Sequence, residues 1–225
     1  MKNRYDKVLR EGNKLILELN TANETLRLVL AFEFKKYYRQ GQRVLEIGCG
    51  EGDSAKKLLE YSTASLDLLD ISPEMIRFSK KNLAKYQKRI RFICEDALSY
   101  LQRSDPYDII TSSWTIHNFL WKDKEELLET IYEKLSPNGV FLLMDKVYPN
   151  RESKHLLEIQ LKRFVYLPSV VSKEIIAHEK VDYTSRYRMD KKKFITVLKR
   201  VGFRKALIMD RVERDAVLVA AKWGF

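Results

Sequence analysis

Cysteine is almost missing from this chain: two residues in 225, Cys49 and Cys94, with no CxxC pair. That excludes a disulfide framework and a thiolate metal centre, and a reducing, cytoplasmic setting is the expectation. Histidine is as sparse. His117, His155 and His178 are too scattered for the spacing of a zinc site, so no metal is expected. No apolar run approaches the roughly 20 residues of a membrane span. The stretch "MKNRYDKVLREGNKLILELN" at the amino end is charged throughout, without a secretory apolar region. Glycine and proline are scarce too, eight and five residues, which excludes collagen-like and low-complexity chains. Yet three of the eight glycines fall within five positions, in "GCGEG" at 48–52.

What is plentiful is ordinary. Apolar residues make up 45% and aromatics 11%, enough for one domain with a substantial core. The formal net charge is +11, which raises the question of a nucleic-acid or anionic-membrane partner. The basic residues are interleaved with acids, as in "KDKEELLETIYEKL", and the densest run is "KKK" at 191–193. A solvated surface is the favoured explanation, with nucleic acid kept open and no membrane partner expected.

From residue 43 short apolar runs alternate with longer helical patterns. The runs "RVLEIG" (43–48), "SLDLLD" (65–70), "IRFICE" (90–95), "YDIITSS" (107–113) and "GVFLLMDKV" (139–147) have strand character. Helical patterns lie near 53–61, 73–86, 97–103 and 122–135. This alternation predicts βαβ units, a parallel sheet and right-handed crossovers, with helices on both faces. Ser72 followed by Pro73 predicts a helix cap and first helical residue. The apolar spacing of Leu26, Val29, Leu30 and Phe34 predicts helices over 1–40 ahead of the sheet. After the fifth strand the alternation stops. A helical stretch over 150–180, broken at "YLPS", is followed by a helix near 190–201. Two closing strands at 203–210 and 216–223 are expected to form an antiparallel hairpin.

In a doubly wound sheet, ligands bind at the carboxyl ends of the strands beside the first βα turn. Here that turn is Gly48-Cys49-Gly50-Glu51-Gly52. A dinucleotide fingerprint would need glycine at 53, where Asp53 stands, and a carboxylate is electrostatically wrong where a pyrophosphate would dock. No G-K-[ST] follows, so a phosphate-cradling loop is excluded. Asp70, closing the second strand, is placed to accept from two ribose hydroxyls. Asp96 in "CEDA" can accept from an exocyclic adenine amine, and Glu46 suits a cationic amino-acid group. An adenine nucleoside with free ribose hydroxyls, no phosphate and positive charge is implied. S-adenosylmethionine answers that description.

Five stretches in order, "VLEIGCGEG", "LDLLDISPEMI", "CEDA", "YDIITSSWTIHNF" and "LSPNGVFLLMD", resemble the motifs of the class I S-adenosylmethionine-dependent methyltransferases, a Rossmann-like superfamily. The resemblance spans roughly 40–147. It implies an α/β, doubly wound, mostly parallel seven-stranded sheet with a C-terminal antiparallel hairpin. It also implies one domain over 1–225: N-terminal helices (1–40), a cofactor core (41–147), a helical cap (148–190), and a closing helix and hairpin (191–225). Carried over by motif, Glu46, Gly48, Cys49 and Gly50 would line the methionine half of the cofactor and Asp70 would hold the ribose. Ile71 and Met75 would pack near the adenine, Asp96 and Ala97 would read its edge, and Ser113 and Trp114 would sit near the sulfonium.

A methyl group on a sulfonium is already activated, so a general base is needed only for a protonated acceptor. His117, in the loop after the fourth strand, is the candidate base; a packing or capping histidine is the other possibility. The [NDS]-P-P-[YF] signature of base-amine methyltransferases and the Pro-Cys nucleophile of cytosine enzymes are both absent after that strand. The cap is rich in rings and basic side chains, among them Tyr166, Tyr183 and Arg186, which suits an anionic or aromatic small molecule. A small-molecule methyltransferase is therefore favoured. The alternatives are an RNA or protein methyltransferase, a carboxy-S-adenosylmethionine synthase-like enzyme suggested by "MDKVYP", and a non-catalytic cofactor-binding subunit.

Overall fold

The five apolar runs become parallel strands because each is bounded by residues that end it and followed by a helix that covers it. They are β1 (Val44–Ile47), β2 (Leu66–Asp70), β3 (Ile90–Cys94), β4 (Tyr107–Ser113) and β5 (Leu135–Tyr148). The computed structural model describes residues 21–149, 152–164 and 169–224. Helix α1 (Thr21–Tyr37) precedes the sheet, and α2 (Asp53–Glu60), α3 (Pro73–Asn82), α4 (Ala97–Arg103) and α5 (Trp121–Lys134) fill the crossovers. Ser72 caps α3 by accepting from the Met75 amide at 3.3 Å, with Pro73 at the first helical position.

Beyond β5 come α6 (Ser153–Phe164), α7 (Ser169–Asp182), the two-residue strand β6 (Met189–Asp190), α8 (Lys191–Val201), β7 (Lys205–Val212) and β8 (Asp215–Ala221). The sheet order is β3-β2-β1-β4-β5-β8-β7, with β8 antiparallel to both β5 and β7. The expected hairpin forms through Glu213, itself left-handed at φ 56°. Two features depart from the sequence expectation. Strand β6 pairs parallel with the end of β5 and makes an eighth strand. Strand β5 begins at Leu135, opposite Tyr107, and bulges across "SPNG" before rejoining at Val140 opposite Ile109. The part of the expected 1–40 helices that falls in 1–20 lies outside the described residues, as do the first three residues of "YLPS" (166–169), whose Ser169 opens α7. Among the described residues no helix is long and apolar enough to cross a membrane.

Period-two alternation divides the strand side chains between two cores. Leu45, Ile47, Ile110 and Phe141 pack with α4, α5 and α8 on one face. Val44, Leu66, Ile109 and Leu142 pack with α1, α2 and α3 on the other. Glu46 and Ser113 fall in the second set by parity, so the sheet carries polar side chains into the layer beneath α1.

Candidate active site

The three glycines are required by backbone shape. Gly48, Gly50 and Gly52 have φ of 69°, 52° and 89°, a region that side-chain-bearing residues enter only with strain. A Cβ on Gly48 would lie 2.2 Å from Thr115 Oγ1, whereas one on Gly50 would meet no protein atom within 4 Å. The turn is therefore packed on one side and open on the other. Its open side faces a cavity of about 370 Å³ at the carboxyl ends of β1, β2 and β4.

Asp70 braces this turn from β2. Its Oδ2 accepts from the Gly50 amide and its Oδ1 from the Ser72 amide, both at 2.9 Å. Asp96 caps α4 by accepting from the Ser99 amide at 3.0 Å. Glu46 is 1% exposed, and its Oε2 has no hydrogen-bond partner. Burial pushes its carboxyl up to about 8; Arg27 opposes that shift, while Asp53 and Asp70 add to it. Burial, with Asp70 and Glu46 nearby, raises the Cys49 thiol well above its ordinary value, so Cys49 is an inert wall residue. Trp114 holds a left-handed φ of 46°, uncommon for an aromatic residue. Three contacts hold it there: its amide donates to Met144 O at 2.7 Å, its indole to Asp215 Oδ1 at 2.9 Å, and the Arg27 guanidinium lies 5.2 Å from its ring.

All eleven residues singled out for the cofactor (Glu46, Gly48, Cys49, Gly50, Asp70, Ile71, Met75, Asp96, Ala97, Ser113 and Trp114) line this one cavity. Asn23, Arg27, Glu95, Asn118 and Phe119 also line it and were not singled out. Asn23 and Arg27 are one helical turn apart on α1, at the border of the stripe that buries Leu26 and Leu30. In sequence such residues look like any polar flank of an amphipathic helix. The chemical set fits a nucleoside with a cationic tail: a buried carboxylate without a partner, a glycine cradle that a Cβ would fill, and an acid at the end of β2. Asp70→Ala is expected to weaken nucleoside binding by roughly 1.5–3 kcal/mol, the range for losing charge-assisted hydrogen bonds. It should also lower the urea midpoint, because two backbone amides lose their acceptor. Calorimetry beside urea titration separates the two effects, and wild-type binding in the variant would confine Asp70 to bracing the turn.

His117 does not line the cavity. It is 5% exposed in the turn after β4, with Nδ1 2.6 Å from Asp145 Oδ1 and Nε2 3.7 Å from Asp182 Oδ2. Both ring nitrogens face carboxylates of the protein, which corrects the expectation of a base at the site. Tyr183 and Arg186 do not line the cavity either. Tyr183 stacks edge-on to Tyr148 and shares a hydrogen bond with Ser153, while Arg186 is exposed. Tyr166 lies outside the described residues.

No described residue of the 148–190 segment lines the cavity; its helix α7 is seated on a buried ionic cluster at the ends of β5 and β8. Lys146 Nζ donates to Glu179 Oε1 at 3.0 Å and to Asp182 Oδ2 at 2.9 Å, and Arg214 pairs with Glu179. Burial alone would raise the Asp182 carboxyl, but Lys146, His178 and His117 hold it well below the usual range. Lys124, fully buried in the first turn of α5, donates to the carbonyls of His117, Phe119 and Tyr187. Burial pulls its ammonium down to about 8, against the pull of Asp145 and Asp182. Lys124 thus ties the cavity wall at Phe119 to the loop that follows α7.

Comparison with known proteins gives these residues a setting. Residues 44–139 match the family model described as a methyltransferase domain. Malonyl-[acyl-carrier protein] O-methyltransferase 2 of Ilyobacter polytropus is 33% identical over 125 residues, covering 53% of this chain and 46% of that protein. The chain spans about half the length of such curated relatives. Magnesium protoporphyrin IX methyltransferase of Synechocystis PCC 6803, solved with bound SAH, superposes with a TM-score of 0.67 at 15% identity, covering 98% of this chain and 94% of that one. The CurJ carbon methyltransferase superposes with a TM-score of 0.71 at 15% identity, covering 98% and 61%. At these identities the solved structures share the fold.

Proposed function

We propose, from the premise that the chain belongs to the class I S-adenosylmethionine-dependent methyltransferase superfamily with S-adenosylmethionine as its cofactor, that it methylates a small-molecule acceptor by in-line transfer. When bound, the cofactor supplies a methyl group activated on a sulfonium. Asp70 would hold the ribose hydroxyls and Asp96 with the Ala97 amide the adenine edge. The exposed Ile71 side chain and the buried Met75 would bracket the ring between them. Glu46 would give up its proton and receive the ammonium of the tail. Trp114 and Phe119 would exclude water from the transfer path, which matters more here than acid–base assistance.

The observation that carries the acceptor class is the wall after β4. Its cavity-lining residues are Ser113, Trp114, Thr115, Asn118 and Phe119, with no group able to take a proton near neutral pH. An acceptor methylated there must arrive as a nucleophile with no proton to lose, such as a carboxylate oxygen. The relative named as a malonyl-[acyl-carrier protein] O-methyltransferase accords with that chemistry. The test is calorimetry with S-adenosylmethionine and S-adenosylhomocysteine against NAD, then methyl transfer to a panel of carboxylate, amine and phenol metabolites. Binding of both sulfur nucleosides with turnover of a carboxylate is the expected result. Tighter NAD binding would sink the cofactor assignment. Tight, structure-selective RNA binding that survives physiological salt, with no small acceptor turned over, would transfer the activity to RNA.

A further inference from the structure

At the rim of the sheet opposite the glycine turn lies a second cavity, a trough of about 640 Å³ that shares no lining residue with the first. Its walls are the three connections that feed β1, β2 and β3. Four of its residues are cationic, Arg43, Lys88, Arg89 and Arg91, and Asp67 is its one acid among the described residues. The chain carries a net charge of +11 and spreads its cations widely. Here four of them converge on one concavity.

Two ordinary explanations account for only part of this. Helix carboxyl ends carry partial negative charge and attract cations, and two helices end at this rim. Arg39, outside the trough, donates to Lys36 O and Tyr38 O at the end of α1. Arg89 donates to Leu59 O at 2.7 Å and Ser62 O at 3.0 Å at the end of α2. Both helix ends are thus served, with Arg43, Lys88 and Arg91 left over. Ion pairing is the other explanation. The parallel register sets Asp67 beside Arg91, whose Nε donates to it at 2.9 Å. That pair uses the only acid in the trough. The carboxylate nearest Arg43 is Asp105 at 3.7 Å, 88% exposed, an attraction that solvent screens. Lys88 and Arg89 have no carboxylate partner among the described residues.

The cations that remain are held in place. The Arg43 guanidinium lies 4.5 Å from the centre of the Tyr107 ring and donates to Pro106 O at 3.0 Å. Arg89 is fixed by its two carbonyls and Arg91 by Asp67. Anchored on one edge, Arg43 and Arg91 still leave 41% and 58% of their side chains to solvent. A planar fork immobilised in advance and open to water suits phosphoryl oxygens, which it meets with paired hydrogen bonds and little loss of entropy.

We propose that this trough is a second ligand site, for a molecule bearing several phosphoryl groups. Strand β2 is five residues long, which puts the trough about 17 Å from the methyl-transfer cavity, further than a small acceptor reaches. The ligand is therefore distinct from the acceptor. Its chemistry, phosphoryl oxygens at close spacing, has two sources: a free polyphosphate or the backbone of an RNA. The site is independent of the cofactor assignment, and the failure of one leaves the other standing.

The full chain is titrated calorimetrically with inorganic tripolyphosphate, a short single-stranded RNA and a short polyglutamate peptide, at low and at physiological salt. Tripolyphosphate or RNA should bind, and polyglutamate should bind markedly less. Lys88→Glu and Arg43→Gln should each weaken that binding by roughly 5- to 10-fold, the scale of one or two exposed charge contacts. In the RNA titration each should also flatten the salt dependence by about one phosphate contact. Lys88 is exposed, so its variant should fold. Binding of tripolyphosphate assigns the site to free phosphates, and binding of RNA alone assigns it to a nucleic-acid backbone; either supports the proposal. Binding of neither, or equal binding of polyglutamate, overturns it. Affinity unchanged in both variants overturns it as well. Saturation with S-adenosylhomocysteine should leave the phosphate affinity unaltered, and competition would move the phosphate to the first cavity and overturn the second site.

Discussion

Gly48→Ala is expected to destabilise the protein by about 2–5 kcal/mol and to abolish cofactor binding. Two costs combine: left-handed backbone is disfavoured by roughly 1–2 kcal/mol once a Cβ is present, and overpacking adds about 1–3 kcal/mol. The neighbour cannot move aside cheaply. The new Cβ would lie 2.2 Å from Oγ1, 2.3 Å from Cγ2 and 2.7 Å from Cβ of Thr115. Thr115 is β-branched, and its hydroxyl donates to Gly48 O at 3.1 Å and Ser113 O at 3.0 Å. Relief would require the turn carrying Asn118 and Phe119 to shift, which deforms the cavity. Gly50→Ala is the control, because its Cβ meets no protein atom and should cost backbone strain alone while obstructing the ligand. Urea titration and S-adenosylhomocysteine binding of both variants check this. Equal stability losses at 48 and 50 would show that the Thr115 contact relaxes freely.

Glu46 should make both stability and cofactor affinity depend on pH near neutrality. Its folded carboxyl is raised to about 8, whereas the unfolded carboxyl titrates near 4.3. The folded state keeps a proton that the unfolded state loses between those values. This contribution to stability is complete below about pH 4 and is lost as pH rises through about 8. Its span is on the order of 5 kcal/mol. Glu46→Gln removes the slope, so the variant should be the more stable protein at pH 8–9. Its cofactor affinity should fall roughly 10- to 100-fold through loss of a charge-assisted contact. In wild type the affinity should climb from pH 6 to about 8, with a proton released as the ammonium binds. It should decline above that, where an α-amino group itself loses its proton at about 7.7–8.0. Thermal melts across pH 5–9 and calorimetry in buffers of different ionisation enthalpy test both. A pH slope shared equally by Glu46→Gln would remove Glu46 as its source.

Much of this site is local in the chain and hence legible in it. Glycines 48, 50 and 52 announce a left-handed turn, an acid closing "LDLLD" announces the mouth of the sheet, and alternation fixes which strands are parallel. What escaped depends on partners far apart in sequence. Nothing around His117 shows that Asp145 will take its ring and backbone amide, 28 residues on. Tyr183 and Arg186 had suitable chemistry for a ligand, but Lys146 and Arg214 draw the helix that precedes them to the end of the sheet. Arg27 was hidden because a buried arginine and a solvated one are spelled alike. Strand β6 is two residues long, too short for any periodicity.

The ionic seat of α7 has a corollary for how such a chain diversifies. Glu179 and Asp182 are three residues apart, hence on one face of the helix, and their fixed counterparts lie in β5 and the β7–β8 turn. The body thus presents a two-pronged basic socket, and the helical pair inserts a matching acidic key. A different helical pair could be spliced between β5 and β6 without retuning the nucleoside pocket, provided it carries two acids at that spacing. Removing Lys146 would leave Glu179 to Arg214 and Asp182 to His178 and His117, so the loss should fall below the roughly 3–5 kcal/mol of a carboxylate left buried and unpaired. Compatibility between a transplanted lid and this body is therefore a matter of two side chains, not of the whole contact surface.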